Sequence, residues 1–175
     1  MGLADSIISA ESGGDRYARN PRSSAGGTGQ FIDSTWLSMI SKHRPDIAAG
    51  KTREQILQLK FDPALSKQMT EAYAADNASM LKARGFEPTD ANLSLAHFAG
   101  PAGAAAILSN PEASAAETLG ADAMRANPFL RGKTNADVVA WAGKRVNATP
   151  GQAMAANARR TYAPTTEGGA KPISG

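Results

Sequence analysis

Cysteine is absent from the 175-residue sequence, which excludes disulfides, thiolate catalysis and zinc–thiolate centres. Histidine occurs only at His43 and His97, too sparsely for a histidine-built metal site, so neither a metal nor a cofactor is expected. No apolar run reaches the roughly 18 to 20 residues that cross a bilayer, so no membrane span is expected. The N-terminus also lacks a basic segment leading into an apolar stretch, as an ordinary secretion signal would have. Met1-Gly2 with Ser6 fits a myristoylation pattern, but Leu3 to Ala10 already reads as helix. Charge of one sign is scarce as well. The net charge of +3 suits anionic partners such as a cell-wall polymer without demanding one. Lys and Arg are scattered instead of striping one helix, which argues against nucleic acid as the partner.

What is present is enough for a core. Hydrophobic residues make up 42% and charged residues 20%, the balance of a soluble globular chain, and the length suits one compact domain. Leu3, Ile7, Ile8 and Ala10 recur at helical spacing until Gly13-Gly14 stop them. Asp33 or Ser34 is placed to cap a helix carrying Trp36, Leu37, Met39 and Ile40, and Thr52 with Gln55 forms a capping box before Ile56 and Leu57. Asp62-Pro63 opens the longest helix, which Gly85 closes. Thr89 caps a helix through Phe98, Gly100-Pro101 breaks it, and Ala102 to Leu108 continues as another. Helices over Ala121 to Ala126 and Asn135 to Val146 complete the set. No stretch alternates with period two, so the expected fold class is all-α. The expected organisation is a single helical domain over residues 1–149 and a tail over residues 150–175, where apolar periodicity fades into Gly, Pro, Thr and Lys.

One connection breaks the pattern of short links. Asp15 to Gln30 is rich in Gly, Ser, Asn and Pro without periodicity, and a loop that long in a compact domain is functional or disordered. Glu11 sits where the first helix runs out into it. A negative charge there opposes the helix dipole by roughly 0.3 to 1 kcal/mol, so the helix itself gives no reason for it. Protonating a glycosidic oxygen requires a carboxylic acid kept protonated near neutral pH, and partial desolvation beside a cleft acts in that direction. The plain alternative is a solvated surface glutamate.

The order Glu11-Ser12, Asn20-Pro21, Ser24-Ala25, Gly27-Thr28-Gly29-Gln30 and Thr35-Trp36 resembles the goose-lysozyme-like, Slt-type lytic transglycosylases. That family has a catalytic Glu followed by Ser, then a Gly-Leu-Met-Gln motif and a Thr. Gly27 and Gln30 match the ends of that motif, with Thr28 and Gly29 in place of Leu and Met. Ala96-His97-Phe98-Ala99-Gly100 is similar to the family's Ala-Tyr-Asn-Ala-Gly, with His97 for Tyr and Phe98 for Asn. The sugar hydrogen bond of that Asn is therefore not inherited. A late Tyr of the family has no clear match near Asp137 to Trp141. The resemblance implies a lysozyme-like helical fold and cleavage of the β-1,4 bond between N-acetylmuramic acid and N-acetylglucosamine in peptidoglycan. Glu11 would be acid and base, with Ser12, Ser24, Gly27, Gln30, His97 and Phe98 as substrate-binding residues. It further implies a location in the periplasm or cell envelope, as a domain of a longer exported or phage protein, and work within a larger envelope or secretion assembly.

Glycosidases ordinarily pair two carboxyls, about 5 to 5.5 Å or 6.5 to 9.5 Å apart. Asp15 reads better as a turn residue and Asp33 as a cap. Without a second carboxylate the simpler scheme uses the substrate's own 6-hydroxyl, giving a 1,6-anhydro product. The alternatives are a hydrolytic muramidase helped by Asp15 or Asp33, and a non-catalytic glycan-binding or assembly module. Ser12 and Ser24 suit either sugar contacts or free backbone groups, and Gln30 offers both a donor and an acceptor. Among the aromatics, Phe31 and Trp36 read as core, Phe98 as core or groove wall, and Tyr17 and Trp141 as candidate stacking surfaces. Arg16, Arg19 and Arg22 on the loop suit either solvent or the carboxylates of peptidoglycan stem peptides.

Overall fold

A computed structural model describes residues 2–146; the expected tail over 150–175 lies outside the described residues. The described chain is all-α. Its helices are α1 (Leu3–Ser12), α2 (Asp33–His43), α3 (Pro45–Ala48), α4 (Arg53–Gln58), α5 (Pro63–Ala83), α6 (Asp90–Ser109), α7 (Ala115–Leu119), α8 (Ala121–Ala126) and α9 (Asn135–Arg145), with 3-10 turns at Leu59–Phe61 and Pro128–Leu130. Among the described residues no strand forms; antiparallel bridges are isolated at Arg19–Gly26, Gly26–Phe31 and Ser114–Thr134. Nor is any helix there long and apolar enough to cross a membrane.

Local chemistry sets most of the boundaries. Thr52 accepts the Gln55 N–H while Gln55 Oε1 accepts the Thr52 N–H at 2.9 Å, the reciprocal box expected for α4. Thr134 and Asp137 do the same for α9. Asp62 Oδ1 accepts the Leu65 N–H at 3.0 Å, and Pro63 opens α5 as its first residue. The start of α2 differs from expectation. Its cap position is Ile32, and Asp33 is already the first helical residue. The carboxylate of Asp33 is drawn instead to Lys60 Nζ, 2.5 Å away. The break expected at Gly100-Pro101 is a kink within α6, where Gly100 leaves helical geometry at φ 75, ψ 162.

The contacts group into two compact units, one ending at Tyr73 and the other beginning at Ala74. In the first, Phe31, Trp36, Met39, Ile40, Leu65 and Met69 form a buried cluster flanked by Ile47, Ile56, Leu57 and Tyr73. Phe31 packs at 5.4 Å from Trp36 and 5.9 Å from Tyr73, in tilted ring geometry. Trp36 also satisfies its indole N–H on Ile56 O at 2.8 Å. Ring burial thus ties α2 to the end of the loop before it, and one hydrogen bond ties it to α4.

The second unit is built on α9 lying along α6. Ala104, Ala105, Ala106 and Ile107 on one helix and Val138, Val139 and Ala142 on the other are buried, and small side chains let helices approach closely. Asn135, also buried, donates to Asn110 O and to Thr118 Oγ1, both at 2.8 Å. Backbone bonds from Ala115 to Lys133 and from Asn135 to Ala113 stitch the same region. The start of α9 is thereby fixed to the segment after α6.

Candidate active site

Glu11 lies in the last turn of α1, and Gly13 ends that helix in the left-handed conformation at φ 64, its N–H on Ser9 O. The loop that follows is ordered throughout. Asn20 N–H donates to Ala25 O, Gly26 N–H to Phe31 O, and Gly27 N–H to Ala18 O. The loop therefore folds back on itself as a compact hairpin-like turn.

Three attachments hold this loop to helices. Ser12 Oγ donates to Thr28 O at 2.8 Å, with Ile8 O at 3.2 Å, and accepts the Gly14 N–H at 3.1 Å. Gly29 N–H donates to Ser66 Oγ of α5 at 3.0 Å. Lys60, only 4% exposed, donates from Nζ to Ser24 O at 2.8 Å and Phe31 O at 3.3 Å besides its ion pair with Asp33. An ammonium buried this deeply persists only because three oxygens replace its water.

Gln30 is fully buried and holds a positive φ of 49, rare for a residue other than glycine. Its Nε2 donates to Gly27 O at 2.9 Å and Ala18 O at 3.1 Å, which explains how the strained backbone is retained. Gln30 Oε1 and Thr28 Oγ1 are buried without a hydrogen-bond partner. Ser24 uses its hydroxyl to accept the Asp33 N–H at 2.9 Å and its carbonyl to accept Lys60. In this arrangement Ser12, Ser24, Gly27 and Gln30 all shape the loop backbone.

Beside Glu11 lies a pocket of about 470 Å³, lined also by Ser12, Asp15, Tyr17 and Arg19. Glu11 lines it while only 4% exposed. Asp15 Oδ1 accepts the Tyr17 N–H at 2.9 Å, the turn role expected of it. Asp33 is held by Lys60.

His97 and Phe98 belong to the second unit, and both are buried. Phe98 meets Trp141 edge-on at 5.0 Å and Phe129 at 6.5 Å, the three rings forming an aromatic cluster. Phe98 is therefore a packing residue there, while Trp141 stays partly exposed and carries Arg145 over its ring at 4.6 Å.

Sequence reasoning did not single out Lys60, Ser66 or Phe61. The signal for Lys60 was faint, a lone cation between Leu59 and Phe61 in an otherwise apolar stretch. Among the described residues no group of three His, Asp or Glu side chains could hold a metal ion. No family model matches this chain.

Proposed function

We propose that the protein is a peptidoglycan lytic transglycosylase that cleaves the β-1,4 bond between N-acetylmuramic acid and N-acetylglucosamine, with Glu11 as acid and then base. The observation that carries this reading is Glu11 itself, a nearly buried carboxyl lining an open polar pocket at the end of α1. The ordered loop adds support, because catalytic groups need backbone held by several independent bonds, and Ser12, Gln30 and Lys60 provide them.

In the reaction the Glu11 carboxyl gives its proton to the glycosidic oxygen as the bond to the anomeric carbon breaks. The 2-acetamido group of the sugar supports the positive charge that develops. The 6-hydroxyl then bonds to the anomeric carbon and returns its proton to the Glu11 carboxylate. The product is a 1,6-anhydro sugar, and no water enters. This substrate fits a protein of the periplasm or cell envelope, acting alone or within a larger envelope or secretion assembly.

The test is Glu11→Gln on purified sacculi. Gln keeps shape and polarity but cannot transfer a proton, so turbidity loss should cease while helical content and melting temperature hold. Residual activity within about tenfold of wild type, equivalent to about 1.4 kcal/mol of barrier, would overturn the assignment.

A further inference from the structure

Within the second unit a pocket of about 340 Å³ opens between the 3-10 turn at Pro128–Leu130 and α9. Its walls are mostly apolar, with Phe129 and Leu130 supplied by the turn and Val138, Ala140 and Trp141 by the helix. The Phe129 and Trp141 rings lie 5.1 Å apart, and both are partly exposed. Two aromatic rings left open side by side form a surface that gains by being covered.

The pocket is also preformed. Leu130 N–H donates to Asn127 O, Arg131 N–H to Pro128 O and Lys133 N–H to Leu130 O, while Lys133 O accepts the Ala115 N–H. The capping box of Thr134 and Asp137 fixes the start of α9, and Phe98 backs Trp141 edge-on at 5.0 Å. A wall held in this way loses little freedom when a ligand fills it.

The lining chemistry selects the ligand. A sugar needs several side-chain donors and acceptors around its hydroxyls, and the polar side chains here are Lys133, Asp137 and Lys144 alone. The Asp137 carboxylate is already engaged by the Thr134 N–H at 3.0 Å. Arg145 lies over the Trp141 ring at 4.6 Å, which takes up a face on which a sugar would stack. What remains is an apolar floor with one ammonium ahead of α9, at Lys133, and another in its last turn, at Lys144. Either lysine alone would be an ordinary surface charge. Two of them bracketing one aromatic floor fit a ligand that is apolar in the middle and anionic at its flanks. Residues 147–175 do not have that chemistry, since Arg159, Arg160 and Lys171 outnumber Glu167.

We infer that this pocket docks a peptide segment of a partner protein carrying a large apolar side chain between acidic residues, the apolar group against Phe129 and Trp141 and the acids on Lys133 and Lys144. The inference does not depend on the glycan-cleaving reading.

The experiment titrates the full chain, followed by NMR, with the end-capped peptide Gly-Glu-Glu-Leu-Phe-Glu-Glu-Gly, a form with glutamine for every glutamate, and a form with Ala-Ala for Leu-Phe. Shift changes should gather on residues 129–144. The acidic peptide should bind about fivefold tighter than the glutamine form, the scale of two exposed ion pairs, and that gap should narrow with salt. It should bind at least about tenfold tighter than the Ala-Ala form, which has lost its apolar anchor. Ala140→Glu sets a charge in the pocket at a partly exposed position, and it should abolish binding at an unchanged melting temperature. Lys133→Gln with Lys144→Gln should erase the preference for glutamate and keep that for Leu-Phe. Absence of saturable binding, equal binding of the three peptides, or binding that survives Ala140→Glu overturns the inference. So does chitotriose moving the same residues where the acidic peptide does not, which would make this a glycan surface, or movement of those residues on dilution of the chain alone, which would make it a contact between copies.

Discussion

The carbonyl oxygen of Lys60 stands 1.9 Å from where a Cβ on Gly27 would be, so at this point the loop backbone touches the backbone of the 3-10 turn. The same lysine reaches back with its ammonium to Ser24 O, Phe31 O and Asp33. One residue thus clamps the loop through its main chain and its side chain.

Lys60→Met should therefore loosen the loop that follows Glu11. Two carbonyls lose a charged donor, while Asp33, partly exposed, is rehydrated. We expect a loss of about 1 to 3 kcal/mol, read from urea unfolding, with activity per folded molecule also reduced. Gly27→Ala should be worse than an ordinary Gly→Ala change, because the added methyl has no space and φ is 74. A Lys60→Met loss below about 0.5 kcal/mol, at the scale of a plain surface change, would mean that the loop holds itself.

The helices were largely legible because their signals are local. Thr52 with Gln55 and Asp62 with Pro63 each act within four residues of chain, and each does what its spacing predicts. The start of α2 was misjudged because Asp33 answers to Lys60, 27 residues away, and no local rule reports such a partner. The loop's order has the same origin, since Gly29 is bonded to Ser66 across 37 residues. The position of Glu11 at a helix end could be read directly. Its pocket could not, because Tyr17 and Arg19 reach it only through the turn that Asp15 makes.

Phe98→Ala tests the packing role given to Phe98. The ring lies between Trp141 and Phe129 with 1% exposure, so its removal should cost about 3 to 5 kcal/mol. Thermal melts alongside cleavage kinetics provide the check. A shift worth less than about 1 kcal/mol with a large fall in activity per folded molecule would return Phe98 to a substrate-contacting role.

Stability should fall with acid through three aspartates: Asp46, which the Arg44 guanidinium holds below its ordinary range, and two others that can be tested together. The Lys67 side chain hydrogen-bonded to Asp5, and the Gly2 N–H, hold the Asp5 carboxyl below its ordinary range; the Thr134 N–H does the same for Asp137. A folded-state pKa below the unfolded one stabilises above the unfolded value and is withdrawn as pH falls through the folded value. Melting temperature should therefore drop between roughly pH 5 and pH 3. Asp5→Asn with Asp137→Asn should make that limb shallower, leaving the Asp46 part, and salt should weaken the Asp5 part more than the Asp137 part. An unchanged slope in the double variant would contradict both assignments.

The product distinguishes the two ways Glu11 could cleave a glycan. Hydrolysis with a second carboxylate would need Asp15 or Asp33 to activate water or attack carbon. Asp15 spends an oxygen on the Tyr17 N–H, and Asp33 is locked to Lys60. Neither is poised as a base, whereas the 6-hydroxyl of muramic acid travels with the substrate. Mass spectrometry of digested sacculi should accordingly show muropeptides ending in 1,6-anhydro-N-acetylmuramic acid, lighter by one water than hydrolysis products. Asp15→Asn should retain activity. Asp33→Asn should lose stability, through Lys60, yet keep activity per folded molecule. Reducing ends as the main product, together with a folded but inactive Asp15 or Asp33 variant, would make the protein a two-carboxylate hydrolase instead.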